Sequence, residues 1–305
     1  MSANVHGKRI VITGGARGIG RATAEALVAA GARVAIGDLD KDLVQDTAAR
    51  IGARFGSTVL GLPLDVTDRE SFDEFLSLAD MEFGGIDVLV NNAGIMPTGA
   101  FLEETDTVTD RQIDVNIRGV ILGSKLAGAR FADQGYGHIV NLASVVGVEG
   151  APGLAVYSAT KHAVIGLGSV LRQELAGSNI AVSTIAPGFV RTELIAGMKP
   201  NALIEKLAMV GPEQVAAAIV EVIASRRPGL KYVPRAAGWI LGALGLMPEA
   251  TRHRISAAFG LHTVALNTDE TARASYRQRI EVPPTPGPKD TTGSDAPRGT
   301  TGRAH

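Results

Sequence analysis

Three residues in the middle of the chain have the types and spacing that proton transfer requires. Tyr157 and Lys161 are four positions apart, with Ser144 upstream of both. Four positions make about one helical turn, so both side chains leave the same face of a helix. An ammonium group beside a phenol favours the phenolate and lowers the pKa of the tyrosine. We therefore expect Tyr157 to exchange a proton near neutral pH, although such a pair alone is a common match.

A second motif, near the start of the chain, makes the pair Tyr157 and Lys161 informative. The glycine-rich turn Thr13–Gly20 follows a short apolar strand and precedes a helical pattern. Such a turn presents free backbone N–H groups and the positive end of a helix dipole to a pyrophosphate. We expect Gly14 to allow the tight turn, Gly18 to admit the phosphate and Gly20 to let helix and strand pack closely. The alternative is a glycine-rich turn without a ligand.

Apolar strand patterns alternate with helical patterns along most of the chain. This alternation predicts an α/β fold with a doubly wound parallel sheet. The predicted strands are 8–12, 33–37, 58–64, 86–91, 137–143, 180–186 and 230–233. The predicted helices are 18–30, 41–54, 68–83, 107–132, 155–177 and 212–225.

The first six predicted strands all end at residues that suit ligand binding. Because carboxyl ends of parallel strands share one edge of the sheet, a ligand site is expected along that edge. The residues at these ends are Gly14, Asp38, Asp65, Asn91 to Gly94, Ser144 and Pro187-Gly188.

Composition excludes several classes of protein. The 305 residues carry a net charge of −1, which gives no reason to expect nucleic acid as a partner. The absence of cysteine excludes disulfides, zinc thiolate sites and thiol catalysis. The six histidines lack ligand spacing, so no metal site is expected. No apolar signal core stands at positions 1–8, and a cytoplasmic location is expected.

The C-terminal part departs from the strand–helix alternation. We predict a catalytic domain over 1–235 with a substrate lid at about 189–211, an apolar or helical extension over 236–280 and a disordered tail over 281–305. Residues 236–247 are uncharged and mostly apolar, but a membrane span needs about 20 residues. Two interpretations stay open: this segment packs against protein, including another subunit, or it makes a peripheral contact with a membrane.

Taken together, these motifs resemble the short-chain dehydrogenase/reductase family over roughly residues 6–225. The family implies a Rossmann-type fold, with the C-terminal segment as an appendage to a single domain. A fainter likeness points to the hydroxysteroid and retinol dehydrogenase branch. The matching positions are Thr13 to Gly20, Asp65-Val66, Asn91 to Gly94, Asn116, Ser144, Tyr157, Lys161, Pro187-Gly188 and Thr192.

The resemblance implies a role for each catalytic residue. Tyr157 would take the hydroxyl proton of an alcohol while hydride passes to nicotinamide, or donate a proton when a ketone is reduced. Lys161 would lower the pKa of Tyr157 and bind the nicotinamide ribose. Ser144 would orient the substrate oxygen. Asn116 would hold a water that links Lys161 to solvent.

Cofactor choice depends on Asp38, at the end of the second predicted strand. A carboxylate there accepts hydrogen bonds from ribose hydroxyls and repels a 2′-phosphate, which favours NAD. Arg17 favours the alternative, NADP, but the clash at Asp38 outweighs it. The expected cofactor-binding residues are Gly14, Arg17, Gly18, Ile19, Gly20, Asp38, Asp65, Val66, Asn92, Ala93, Gly94, Tyr157, Lys161, Pro187, Gly188 and Thr192.

The apolar lid favours a small hydrophobic secondary alcohol or ketone as substrate, of steroid, retinoid or lipid type. The chain lacks the family's common C-terminal ending, so a dimer is expected rather than a tetramer. Three alternatives remain: an NADP-dependent ketone reductase, a catalytically inactive nucleotide-sensing or scaffold protein, and a membrane-surface protein that works through 236–247.

Overall fold

The computed structural model describes residues 5–198, 205, 208–258, 260, 264–266 and 268–281. The strands in this part of the chain are β1 (Arg9–Thr13), β2 (Arg33–Asp38), β3 (Val59–Pro63), β4 (Val88–Asn91), β5 (Gly137–Leu142), β6 (Ile180–Pro187), β7 (Phe189–Val190), β8 (Met209–Val210) and β9 (Gly229–Val233). Seven of them form one sheet in the order β3-β2-β1-β4-β5-β6-β9, and β7 pairs with β8.

Helices connect successive strands of the sheet. Those in the described ranges are α1 (Gly18–Ala29), α2 (Lys41–Phe55), α3 (Arg69–Phe83), α4 (Asp106–Ile113), α5 (Gly119–Gln134), α6 (Ala155–Glu174), α7 (Pro212–Ser225), α8 (Arg235–Gly245), α9 (Glu249–Ala258) and α10 (Glu270–Glu281).

The central strands are apolar on both faces because helices cover both sides of the sheet. In β1, Ile10 and Ile12 join the core formed with α1, α2 and α7. Val11 faces the other way and joins the core formed with α3 and α5, which includes Phe72 and Phe131. All the strand pairs in the sheet are parallel, so the prediction of a doubly wound parallel sheet is confirmed.

Local sequence signals place the helix ends. Asp40 and Asp68 cap α2 and α3 by accepting hydrogen bonds from backbone N–H groups in the first turn. Both helices end at glycines in the left-handed conformation, Gly56 and Gly84, where a side chain would be strained. These signals fix the loops that follow β2 and β3, and so the edge of the sheet where the predicted ligand residues stand.

The single helix predicted over 107–132 is wrong in one respect. A π-helical turn, Asp114–Arg118, separates α4 from α5. The turn is one residue wider than α-helical spacing, and the apolar periodicity of the segment does not reveal it. Such turns often accompany functional sites, and this one carries Asn116.

The described part of the C-terminal extension consists mostly of three helices, α8 to α10, joined by turns. Helix α8 covers most of 236–247; its Trp239 is 83% exposed, and Leu246, which directly follows the helix, is 89% exposed. No helix of the described chain has the length and apolar character needed to span a membrane. The predicted tail over 281–305 lies outside the described residues, apart from Glu281 at the end of α10. The division into domain, extension and tail stays a prediction.

Candidate active site

A cavity of about 900 Å³ opens at the carboxyl edge of the sheet. Nearly all the predicted site residues line it, which follows from their positions at successive strand ends. Only Gly20 and Asn116 do not. The predicted residues that line it are Gly14, Arg17, Gly18, Ile19, Asp38, Asp65, Val66, Asn92, Ala93, Gly94, Ser144, Tyr157, Lys161, Pro187, Gly188 and Thr192. Their roles in binding and catalysis stay predictions.

The glycine turn has the geometry of an anion site. Gly14 and Gly18 have φ angles of +64° and +56°, which residues with a side chain rarely adopt. A Cβ atom added at Gly20 would lie 2.1 Å from the carbonyl oxygen of Gly14, so only glycine fits there. No side chain caps the start of α1. The first N–H groups of α1 are therefore available to a bound phosphate.

Asn92 and Thr13 hold this turn in place. The Asn92 side chain donates to the carbonyl oxygens of Thr13 and Gly14, at 2.8 and 2.9 Å. The Thr13 hydroxyl accepts from the backbone N–H groups of Asn92 and Ala93, both at 3.0 Å. Asn92 therefore shapes the phosphate end of the cavity as well as lining it. Its side chain is engaged with the turn, a role that the sequence did not indicate.

Asp38 stands at the end of β2 with its carboxylate held by backbone. Its oxygens accept hydrogen bonds from the N–H groups of Ala16 at 3.1 Å and Asp40 at 3.3 Å. Burial raises the pKa of Asp38, and these hydrogen bonds and the charge of Arg17 oppose the rise. The carboxylate thus joins the glycine turn to the loop after β2, and it lines the cavity.

Arg17 is engaged by two carboxylates. Its guanidinium lies 2.8 Å from Asp40 and 3.5 Å from Glu193, which lies beyond β7. Glu193 also pairs with Arg279 of α10. These side chains are partly exposed, so each pair contributes little to stability. Together they form a chain of charges across the mouth of the cavity.

Tyr157 and Ser144 meet at the buried end of the cavity. Tyr157 is 8% exposed on α6, and Ser144 follows β5. Burial raises the pKa of Tyr157, and the nearby Ser144 hydroxyl opposes that rise. Ser144 also lies 3.4 Å from the carbonyl oxygen of Pro187, to which it donates. Both hydroxyl-bearing residues line the cavity.

Burial dominates the ionisation of the catalytic pair. The pKa of Tyr157 is raised by burial first and by Tyr276 second, so the expected lowering by Lys161 is wrong for this pocket. Burial lowers the pKa of Lys161 to about 8. Its ammonium donates to the carbonyl oxygen of Leu142 at 2.9 Å and lies 5.6 Å from the centre of the Tyr157 ring. Desolvation of both groups outweighs their attraction.

Asn116 does not line the cavity, but it hydrogen-bonds to Ile95, which does. Its side chain is fully buried and bonds both backbone groups of Ile95, at 2.9 and 2.8 Å, and the hydroxyl of Thr160. A Cβ atom added at Gly94 would lie 3.2 Å from Asn116 and 3.5 Å from the Lys161 ammonium. Asn116 is therefore a neighbour of Lys161 across Gly94, and it fixes the loop after β4.

The remaining predicted cofactor residues shape the rim of the cavity. Asp65 accepts hydrogen bonds from the backbone N–H and the hydroxyl of Thr67, at 2.9 and 2.7 Å. Gly188 donates its N–H to the carbonyl oxygen of Val233 at 2.8 Å, which fixes the chain after β6. A Cβ atom added at Gly18 would meet only Thr192, at 3.5 Å. The backbone of the turn is therefore open toward the loop after β7.

Sequence reasoning missed the contribution of α10. Tyr276, Arg279 and Ile280 line the same cavity as Tyr157. No motif marks them, and their separation from the other site residues hides them from any local pattern. One signal was available: Arg273, Tyr276 and Ile280 follow helical spacing and share a face of the helix.

The sequence model of the short chain dehydrogenase family matches residues 8–202, which is more than half of the chain. The chain belongs to the short-chain dehydrogenase family. The resemblance expected from the glycine turn, Tyr157 and Lys161 is confirmed. The more specific likeness to hydroxysteroid and retinol dehydrogenases stays a prediction.

Relatives of this short-chain dehydrogenase include bacterial oxidoreductases. "Probable oxidoreductase EphD" of Mycobacterium tuberculosis is 34% identical over 260 residues, which are 80% of this chain and 44% of the relative. The chain thus spans less than half the length of that relative.

Solved structures of similar proteins share the fold. A short chain dehydrogenase/reductase from Burkholderia phymatum in complex with NAD has a TM-score of 0.70 and 28% identity, covering 78% of this chain and 92% of its own. The 3-ketoacyl-(acyl-carrier-protein) reductase from Brucella melitensis, complexed with NADH, has a TM-score of 0.66 and 28% identity, covering 74% and 96%. This short-chain dehydrogenase shares with these neighbours a parallel, Rossmann-type sheet.

Proposed function

We propose that this short-chain dehydrogenase uses NAD to interconvert a hydrophobic secondary alcohol and its ketone, with Tyr157 as general acid and base. The observation that carries the proposal is the meeting of Tyr157, Ser144 and Lys161 in the cavity that also contains the glycine turn. Nucleotide anchor and proton donor thus share one space, as a hydride-transfer enzyme requires.

The residues present fit a dinucleotide. Uncapped N–H groups at the start of α1 suit the pyrophosphate, and the Asp38 carboxylate suits ribose hydroxyls. The side chain of Lys161 suits the second ribose. Bound nicotinamide supplies the site that accepts or gives up hydride. The two neighbours named above were crystallised with NAD and NADH, which supports the choice of NAD.

The protein supplies the proton chemistry. Burial keeps Tyr157 protonated at neutral pH, so its hydroxyl is ready to donate to a ketone oxygen. For oxidation of an alcohol, the phenol must first lose its proton. Ser144 then holds the substrate oxygen beside Tyr157 and stabilises the charge that develops on it.

The substrate end of the cavity is apolar. Met96, Val146, Leu154 and Tyr157 form a buried cluster there, with Leu194, Ile195 and other apolar residues packed against it. An apolar wall with two hydroxyls at its centre fits a hydrophobic molecule with one reacting oxygen. This composition supports a steroid-, retinoid- or lipid-like substrate.

A screen of secondary alcohols and ketones with both cofactors tests this proposal. Turnover is followed at the absorbance of the reduced nicotinamide. We expect NADH formation with hydrophobic secondary alcohols and little activity with short polar ones. A protein that binds NADH but turns over no member of the panel would contradict the proposal and favour the nucleotide-sensing alternative.

We further propose that the exposed apolar face of α8 docks on a second copy of the chain. Trp239 on this helix is 83% exposed, and Leu246, which directly follows the helix, is 89% exposed. Helices that lie on anionic lipid are rich in lysine and arginine. Helix α8 carries one charged residue, Arg235, at its first position. Its composition therefore suits a protein partner better than a membrane.

Trp239 reports this contact because it is the only tryptophan. We expect blue-shifted emission at concentrations where sedimentation gives a dimer, since each buried side chain contributes roughly 1.5–3 kcal/mol toward association. The substitution Leu246→Glu should give a monomer with red-shifted emission. A shift seen only with anionic vesicles would indicate the membrane instead, and solvated emission in every condition would contradict both contacts.

A further inference from the structure

The buried end of the catalytic cavity is closed by α10. Tyr276 and Ile280 are 7% and 8% exposed and line the cavity. Tyr276 is near enough to Tyr157 to raise the pKa of that phenol. The cavity therefore has two phenols in one apolar space: one on α6 in the catalytic position and one on α10.

Helix α10 is held over the pocket by specific polar contacts. Arg273 is 3% exposed, and its guanidinium donates to the carbonyl oxygens of Leu194, Ala196 and Met96, at 2.8, 3.0 and 2.7 Å. The Tyr276 hydroxyl accepts from the backbone N–H of Met96 at 2.7 Å. Both polar groups of the Met96 peptide are thus bonded to α10. A buried guanidinium is tolerated only with such partners. These contacts therefore hold α10 in one position over the pocket.

The hydroxyl of Tyr276 keeps a hydrogen to donate. A phenol both donates and accepts, and the contact with Met96 uses an acceptor position. Within the described residues, no hydrogen-bond acceptor is found for the hydroxyl hydrogen. Burial raises the pKa of Tyr276 to about 12, so the group stays protonated at neutral pH. A buried donor without a partner is costly unless a ligand satisfies it.

We infer that Tyr276 positions the substrate by donating a hydrogen bond to a second oxygen, beside the oxygen that reacts at Tyr157. The preferred substrate is then an apolar carbonyl compound with a further oxygen acceptor, such as a diketone or a keto ester, or the matching alcohol. This inference rests on the proposed function and narrows its substrate class. Tyr276 is a positioning residue, because the proton that moves belongs to Tyr157.

Matched pairs of compounds test the assignment in the wild type and in Tyr276→Phe. One pair is 1-phenyl-1,2-propanedione and phenylacetone, which share a carbon skeleton and differ in one oxygen. We expect the wild type to prefer the dione. Loss of one hydrogen bond should lower kcat/KM for the dione about three- to tenfold, chiefly through KM, and leave phenylacetone within about twofold. The substitution keeps the ring and its packing, and it also removes the acceptor of the Met96 N–H, a loss that affects both compounds alike.

Thr271→Ala provides the control, since Thr271 is exposed on the same helix. It should change neither compound's kinetics. Equal losses for both compounds in Tyr276→Phe would show a general structural role and overturn the inference. Unchanged kinetics for both would overturn it as well.

Two further measurements do not need turnover. Calorimetric binding of the same pair to the NADH complex should show the dione losing affinity in Tyr276→Phe and phenylacetone keeping it. Hydrogen exchange at the Met96 amide should be slow in the wild type and faster in the variant, because the acceptor of that N–H is removed. A wild type that binds the dione selectively but turns over no member of the panel of alcohols and ketones would refute the proposed function and leave this inference standing. Equal affinity for the two compounds would refute the inference alone.

Discussion

Replacing Tyr157 by phenylalanine is expected to reduce turnover by at least about 10²–10⁴-fold while NADH still binds. The hydroxyl carries the proton, and the ring packs in the buried cluster with Met96 and Leu154. Phenylalanine keeps that packing and removes only the acid. Steady-state kcat measures the loss, and quenching or enhancement of NADH fluorescence measures binding.

Tyr232→Phe is the matched control for this substitution. Tyr232 lies on β9 and does not line the cavity, so its loss of a hydroxyl should leave kcat unchanged. A Tyr157→Phe enzyme that kept more than about a tenth of the wild-type kcat would show that another group transfers the proton.

The ionisation of Tyr157 predicts how the rates of reduction and oxidation depend on pH. Because burial raises the pKa of Tyr157, the free enzyme holds the phenol protonated at neutral pH. Reduction uses that form and should be fastest there. Oxidation needs the phenolate, so its kcat/KM should rise as pH increases from neutral into the alkaline range. Profiles of kcat/KM in both directions with the wild type check this expectation.

The second large effect is expected at Asp38. Wild-type enzyme should prefer NAD, and Asp38→Ala should shift the ratio of kcat/KM toward NADP by at least about tenfold, since two like charges no longer face each other. Arg17, which lines the same part of the cavity, would then favour the added phosphate. The measurement is kcat/KM for each cofactor with one substrate.

The variant Asp38→Asn tests whether the charge of Asp38, rather than its hydrogen bonds, determines the choice of cofactor. Asp38 accepts the N–H of Ala16, and asparagine retains an oxygen that preserves this link to the glycine turn. The neutral variant should share the shift toward NADP and keep more of the overall activity than Asp38→Ala. A wild-type enzyme that already prefers NADP would contradict the role given to Asp38.

The sheet and the ligand edge could be predicted because their signals are local. In a strand such as Val88–Asn91 the first three residues are all apolar because helices cover both of its faces, and that pattern is visible in the sequence. The glycine turn could also be predicted from the sequence, because Gly20 tolerates no Cβ atom beside the carbonyl of Gly14. From these elements it followed that nearly every predicted site residue lines the cavity.

Ionisation and local widening of helices could not be predicted in the same way. The spacing of Tyr157 and Lys161 predicts attraction, but the pKa of each depends on how completely both are desolvated. The π-helical turn around Asn116 is set by its bonds to Ile95, which come from tertiary packing. The sequence predicts a helical extension in the region of α10. The position of this helix over the pocket depends on contacts of Arg273 with backbone that is distant in sequence.

The contact between Met96 and Tyr276 joins positions 180 residues apart, which has a consequence for the order of folding. The strands, the glycine turn and Lys161 all precede α10 in the chain, and domains fold from the N-terminus as synthesis proceeds. Most of the pocket can therefore form on the ribosome before α10, which closes its buried end, has been made. Cofactor captured at that stage would stabilise the sheet before α10 is made. Arg273 and Tyr276 can join the pocket only after these earlier elements have been made.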